Sequence, residues 1–231
     1  MRNKLAIFLG VVVVLSLATN VWSQNPVTAD SPFQIRYASN LSVGDSNINM
    51  TNSGASNGAN ICVNVYAFSP DEQLISCCSC VVTPNALTHL SVRNDLISNT
   101  LTPAVPDDVT VKLLATTGGA CNAAAPGALT SGLLAWGTTI HPMTISETVA
   151  PNCSKQCMNN NCNGSNAGSA WCKANCPPLV TTTTGYAMTE TPFIPATLSA
   201  AELARISSLC GFIQANGSGY GICRSCRTGA E

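Results

Sequence analysis

Short runs in which apolar and polar residues alternate, set apart by Gly, Pro and Asn, predict a mainly β chain. The pattern is that of an immunoglobulin-like β-sandwich with a disulfide-rich excursion and a C-terminal helix. Two further observations shape this expectation. Thirteen cysteines follow an apolar N-terminal run, and charged residues make up only 9% of the chain, against roughly 25% in an ordinary soluble domain.

The start of the chain reads as an export signal. Met1-Arg2-Asn3-Lys4 is basic, Leu5 to Leu17 is almost wholly apolar, and Thr19 to Gln24 closes the run with a cleavage position after Ser23. The apolar run is shorter than the ~18–20 residues that a spanning helix needs, and no second such segment follows. The expected location is therefore secreted, periplasmic or cell surface, with no membrane contact after cleavage of the signal. Disulfides persist in such compartments. With a net charge of −1, the chain lacks the basic stripe that nucleic-acid binding requires, so no nucleic acid is expected.

The strands then come in order. Phe33 to Tyr37 and Ile48 to Asn52 alternate, and Ser53 to Gly58 turns the chain. Ile61 to Phe68 is the clearest strand: Ile61, Val63, Val65 and Ala67 share one face, and Cys62, Asn64, Tyr66 and Phe68 the other. Gln73 to Cys77 and Leu87 to Val92 are shorter candidates. Val109 to Thr116 is clear, and Leu133 to Thr139 and Met143 to Thr148 follow, with a break expected at His141-Pro142. Composition changes at 150–178, which holds five cysteines and many Asn and Gly. Val180 to Glu190 reads as a returning strand, rich in β-branched residues. Ser199 with Glu202 fits a capping box, and Leu198 with Leu203 a hydrophobic staple. Leu203, Ile206, Leu209, Cys210 and Ile213 then fall on one helical face, and Asn216-Gly217 ends the helix. The chain thus divides into a signal peptide (1–23), a β-sandwich domain (24–149), a cysteine-rich excursion (150–178), a returning strand of the sandwich (179–198) and a helix with a cysteine-containing tail (199–231).

The cysteines form three groups: Cys62, Cys77, Cys78, Cys80 and Cys121 in the β region; Cys153, Cys157, Cys162, Cys172 and Cys176 in the excursion; Cys210, Cys223 and Cys226 in the tail. All are disulfide candidates. In an extended segment Cys78 and Cys80 point to one face and Cys77 to the other, so that neighbours can staple different layers. Two C-x3-C pairs in the excursion suggest nested bridges, Cys153 with Cys176 and Cys157 with Cys172. The competing use of the tail thiols is metal or redox chemistry. Cys223 and Cys226 form a C-x2-C flanked by Arg224 and Arg227, which would lower a thiol pKa, and Cys210 could add a third ligand. Against it, zinc motifs supply two well-spaced pairs, and no second C-x2-C exists. Because thirteen is odd, one cysteine is left over: either a covalent dimer forms through it, or it is a single buried thiol.

The remaining candidates carry little chemistry. His89 and His141 sit in no motif with a nucleophile. Asp71-Glu72 and Asp107-Asp108 each follow a proline and read as turns; a calcium loop would need regularly spaced oxygens and a distal Glu. Trp136 reads as core, and Trp171 as packing on a disulfide. Asn40, Asn49, Asn152, Asn163 and Asn216 begin Asn-x-Ser/Thr sequons.

Two stretches, Cys77-Cys78-Ser79-Cys80-Val81-Val82-Thr83-Pro84-Asn85 and Cys210 to Cys223, resemble parts of uncharacterised secreted bacterial cysteine-rich β proteins. The resemblance implies export and a bacterial source, and brings no activity or site with it. The sequence therefore predicts a secreted or cell-surface, disulfide-stabilised β-sandwich with a structural or binding role, non-catalytic and without cofactor. Its partner would be an extracellular molecule or another copy of itself. The alternative is an extracytoplasmic thiol-redox or metal-binding protein using Cys210, Cys223 and Cys226.

Overall fold

The computed structural model describes residues 31–149, 159, 160, 165, 169–176, 179–224 and 226. The expected signal peptide, Cys153, Cys157 and Cys162 lie outside them. Among the described residues nine strands build two antiparallel sheets. One holds β4 (Leu74–Val82), β3 (Ile61–Phe68), β6 (Val109–Thr117), β1 (Phe33–Ala38) and β9 (Ile194–Pro195), in that order. The other holds β5 (Leu87–Ser91), β2 (Asn47–Asn52), β7 (Leu133–Val149) and β8 (Leu179–Pro192).

The inner faces share one core. Val63, Val65 and Ala67 of β3 and Val111, Leu113 and Ala115 of β6 belong to the same cluster as Ile48 and Met50 of β2 and Leu133 of β7. Alternation along each strand sets this up, because every second side chain leaves the sheet on the same side. The outer face of the five-stranded sheet is buried as well. Tyr66, Phe68, Leu74, Cys77 and Leu114 pack there against Ile206, Cys210 and Ile213 of α2 (Ala200–Ala215). This explains why all eight residues of β3 are buried, polar Asn64 included.

Helix α2 begins as its sequence dictates, with one difference. The Ser199 hydroxyl accepts from the Glu202 backbone N–H at 3.1 Å. The reciprocal half of the capping box is replaced by a tertiary contact: the Glu202 carboxylate pairs with Lys112 of β6 at 2.5 Å. Lys112 also lies over the Phe68 ring, 4.7 Å from its centroid. The expected staple residues Leu198 and Leu203 both pack on the outer-face cluster. Asn216 caps the helix, and Gly217 follows with φ 68°.

Three local features differ from expectation. β4 does not end at Cys77 but runs on through Cys78 and Cys80 to Val82, paired with β3 throughout. β7 passes through His141-Pro142 without a break, and Pro142 lies opposite Tyr186 of β8. Proline is tolerated there because β2 pairs with β7 only as far as Gly137, which leaves the other edge of β7 without a ladder to interrupt. α2 is joined by a π-helical turn at Val92–Ile97, capped by Ser91, and by α1 (Ala170–Asn175), capped by Ser169.

Tyr66 shows how tightly the outer face is sealed. Its hydroxyl donates to the Ala123 carbonyl at 2.8 Å, both residues being buried. Burial pushes the phenol well above its usual range. Tyr66→Phe is expected to cost about 1–2 kcal/mol, because the Ala123 carbonyl loses its donor. The raised folded value also fixes a pH window. The contribution of neutral Tyr66 is whole below the unfolded phenol's pKa of about 10, and is lost as pH climbs from there towards the folded value. Urea midpoints between pH 7 and about 11 should therefore fall less steeply above pH 10 for Tyr66→Phe than for the parent. Parallel alkaline limbs would show that this phenol does not set the alkaline limit.

Candidate functional site

Four disulfides are formed among the described residues: Cys62–Cys121, Cys77–Cys210, Cys78–Cys223 and Cys80–Cys226. The last three fasten one strand, β4, to the C-terminal segment. Alternation along β4 sends Cys77 to the outer face, where it meets Cys210 of α2. Cys78 and Cys80 turn inward, and there they meet Cys223 and Cys226. The sequence-predicted trio of tail cysteines is thus split across β4: Cys210 lies on one side, and Cys223 and Cys226 on the other.

The tail reaches this position by pairing with the free edge of β4. The Cys77 N–H donates to the Gly221 carbonyl at 2.8 Å, and Ile222 bridges to Cys77 in parallel sense. Gly221 has φ +77°, and a Cβ there would meet the Ile213 side chain at 2.8 Å, so the turn onto the strand needs glycine. An unpaired edge strand is a template for aggregation, and the tail covers this one. The sulfur atoms of Cys78, Cys80 and Cys226 lie within 4.8 Å of one another. Beside them a cavity of about 360 Å³ has Cys77, Cys78, Cys121, Gln214, Cys223 and Cys226 in its lining.

Cys172 and Cys176, at the two ends of α1's last turns, are also in disulfides and are buried. The nested pairing expected for them involves Cys153 and Cys157, outside the described residues. Trp171, next to Cys172, is exposed.

A second feature is the ribbon formed by β7 and β8. β2 pairs with β7 only from Leu133 to Gly137, yet β7 and β8 stay paired from Trp136–Pro192 out to Val149–Leu179. Thr139 and Ile140 are still buried against the body, and the nine residues from His141 to Val149 give a two-stranded arm of roughly 30 Å. Residues 141–146 are all exposed. Met143 and Ile145 lie on one face, while Tyr186 and Met188, 48% and 66% exposed, lie on the other.

The base of this arm is held by two polar residues that point into the space between the sheets. Gln34 Nε2 donates to the Leu133 carbonyl at 2.9 Å. Arg36 Nη1 donates to the Thr191 carbonyl and hydroxyl, both at 2.6 Å, and Nη2 to the Thr139 hydroxyl at 2.7 Å. Burial lowers the proton affinity of the Arg36 guanidinium, with nearby Glu190 working in the opposite direction. Gly137 makes room for it: a Cβ at that position would lie 3.2 Å from Arg36 Nε and against the Asn47 carbonyl. Neither Gln34 nor Arg36 stood out in the sequence. The signal was an arginine within an alternating strand of a chain with very few charges.

The remaining candidates have local partners. His89 bonds Asn49 at 3.0 Å, and His141 bonds Thr189 at 2.8 Å, in each case across neighbouring strands. Asp107 accepts from the Ser42 backbone N–H at 2.6 Å, and its hydrogen bonds to Ser42 hold its carboxyl below the usual range. Asp71 accepts from the Ser69 hydroxyl. Trp136 is half-buried on β7, opposite Asn49 and Pro192.

The chain matches no family model, no curated protein and no solved structure. Its several disulfides suit an oxidising, extracellular environment. Among the described residues no helix is long and apolar enough to cross a membrane.

Proposed function

We propose that this chain is an exported, disulfide-stabilised β protein of a bacterial surface or its surroundings, acting by binding rather than catalysis, with the β7–β8 arm as its contact element. The observation that carries this reading is the arm itself. A two-stranded ribbon is marginal on its own in water, yet this one extends far beyond its sheet with Met143, Ile145, Tyr186 and Met188 exposed. Both of its edges beyond Gly137 lack a further strand among the described residues, which suits pairing with an extended segment of a partner. Exposed apolar residues grouped on one projecting element, rather than scattered singly, mark a contact surface.

The sheet order supports an immunoglobulin-like ancestry for the body. β2 pairs with β5 and β3 with β6, the relation of strands B with E and C with F in that fold. The departure lies at the periphery. β1 occupies the place beside β6 that the last strand would take, and β7 the place beside β2 that the first would take.

The test is to replace residues 142–186 with Asn-Gly, closing the paired His141 and Ala187 through a two-residue hairpin turn, with Met188→Thr in the same variant. The shortened protein is expected to keep its unfolding midpoint in urea and to lose retention in the cell envelope, measured by partition between envelope and medium. Undiminished retention would remove the arm as the contact element.

A further inference from the structure

We propose that Cys78, Cys80, Cys223 and Cys226 form a redox-gated site for one thiophilic cation of the zinc class, closed as two disulfides and open to metal when both are reduced. This goes beyond the binding role assigned to the arm and does not depend on it.

The geometry brings all four cysteines to one side of β4. Cys78 and Cys80 leave β4 on the same side, because side chains two apart along a strand share a face. The edge pairing of the tail brings Cys223 and Cys226 to that side. Three of the four sulfurs lie within 4.8 Å of one another, and the fourth, on Cys223, is bonded to Cys78. Zinc–thiolate bonds of about 2.3 Å in tetrahedral array place the sulfurs about 3.8 Å apart. Opening the S–S bonds frees the four side chains to rotate toward that spacing. The sequence held only one C-x2-C; the missing second pair is the C-x-C of β4, which only the folded chain brings opposite it.

The surroundings give access to the inner pair of bridges and hold the tail in place while they are open. Cys226 is half-buried and lines the cavity, as do Cys77, Cys78, Cys121 and Cys223, which gives a reductant and an ion a way in. Cys77 and Cys210 are fully buried on the opposite face of β4. Their bridge, with the Cys77–Gly221 backbone bond, would keep the tail against the strand while the inner pair is open. The donor set is sulfur alone, which selects soft and borderline cations over magnesium or calcium.

The chemistry balances with a dithiol reductant. Two dithiols supply four electrons and four protons; both protein S–S bonds break to give four thiols, and the dithiols leave as disulfides. One zinc ion then displaces up to four protons and forms four S–metal bonds, leaving a net charge of −2 on the cluster.

The test uses the full chain without oxygen, treated with a limiting phosphine reductant that takes up oxygen from water as it donates its electrons. The protein is then titrated with cobalt(II), followed by zinc(II). The expected result is one cobalt per chain with the intense visible bands of tetrahedral thiolate coordination, displaced by one zinc. Cys78, Cys80, Cys223 and Cys226 should be protected from alkylation by the metal, and unreduced protein should bind none. Cys80→Ser with Cys226→Ser should abolish the four-thiolate spectrum. The alkylation map of the unsubstituted protein decides the matter should that variant not fold. Protection that maps to Cys153–Cys176, an unchanged spectrum in the double variant, or loss of far-ultraviolet structure on reduction without metal uptake would each overturn the proposal.

Discussion

Replacing Cys62 and Cys121 together with Ala is expected to lower stability by about 4 kcal/mol, more than removing any single bridge between β4 and the tail. The reason is ring closure. Cys62 and Cys121 are 59 residues apart, and no other disulfide among the described residues closes that ring. The three tail bridges span separations of 133, 145 and 146, which alone would suggest larger effects. They are parallel, however. With Cys77–Cys210 in place, Cys78–Cys223 closes only the short ring between neighbouring attachment points, and Cys80–Cys226 a shorter one still. Removing Cys80–Cys226 should therefore cost only about 2–3 kcal/mol, the value for a small loop. Urea unfolding under non-reducing conditions, followed by tryptophan fluorescence, ranks the variants. A smaller loss for the Cys62/Cys121 variant than for the Cys80/Cys226 variant would mean that strain or packing, not chain entropy, governs these bridges.

That contrast also marks how far the sequence could be read. The facing of β3 was legible because period-two alternation is a local property: Ile61, Val63, Val65 and Ala67 do share the inner core, and Tyr66 and Phe68 the outer cluster. The opposite facing of Cys77 from Cys78 and Cys80 was legible for the same reason. Helix α2 and its apolar face were legible from 3.6-residue spacing. What local pattern cannot supply is the partner of a residue more than a hundred positions away. Cys77 gave one direction and Cys78 with Cys80 the other, but none gave a destination, and the grouping of Cys210 with Cys223 and Cys226 by nearness in sequence hid the strand that separates them. The Glu202 carboxylate was assigned to its own helix end, although Lys112 across the fold is the stronger partner. The arm escaped notice because Pro142 reads locally as a stop, whereas its cost depends on which edge of the strand is paired.

Arg36→Met is the second large effect, expected at about 2–4 kcal/mol. Alternation in Phe33-Gln34-Ile35-Arg36-Tyr37 suggests that the polar pair faces water. The fold does the reverse: Phe33 and Ile35 pack on the α2 side, and Gln34 and Arg36 enter the space between the sheets. The guanidinium there answers needs that no apolar side chain can meet. The Thr139 hydroxyl donates to the Tyr37 carbonyl at 3.3 Å, so its lone pairs are left for Arg36 Nη2. The Thr191 carbonyl accepts from Nη1 where β8 meets the body of the protein. Met preserves much of the stem's volume beside the Phe193 ring, which lies 5.9 Å from the guanidinium carbon, but it leaves those oxygens without donors. Nε already lacks a partner, so part of the burial cost is being met by the other two nitrogens alone. Lys at this position supplies a charge but not the planar fork that spans Thr139 and Thr191, and it should recover at most half of the loss. Because these bonds join β1 to the base of the arm, amide exchange at Thr189 and Thr191 should accelerate in Arg36→Met well beyond that in the core strands β3 and β6. A neutral or stabilising Arg36→Met, as happens where a buried charge is replaced by a well-packed apolar group, would mean that the arm is anchored by its backbone pairing and not by this residue.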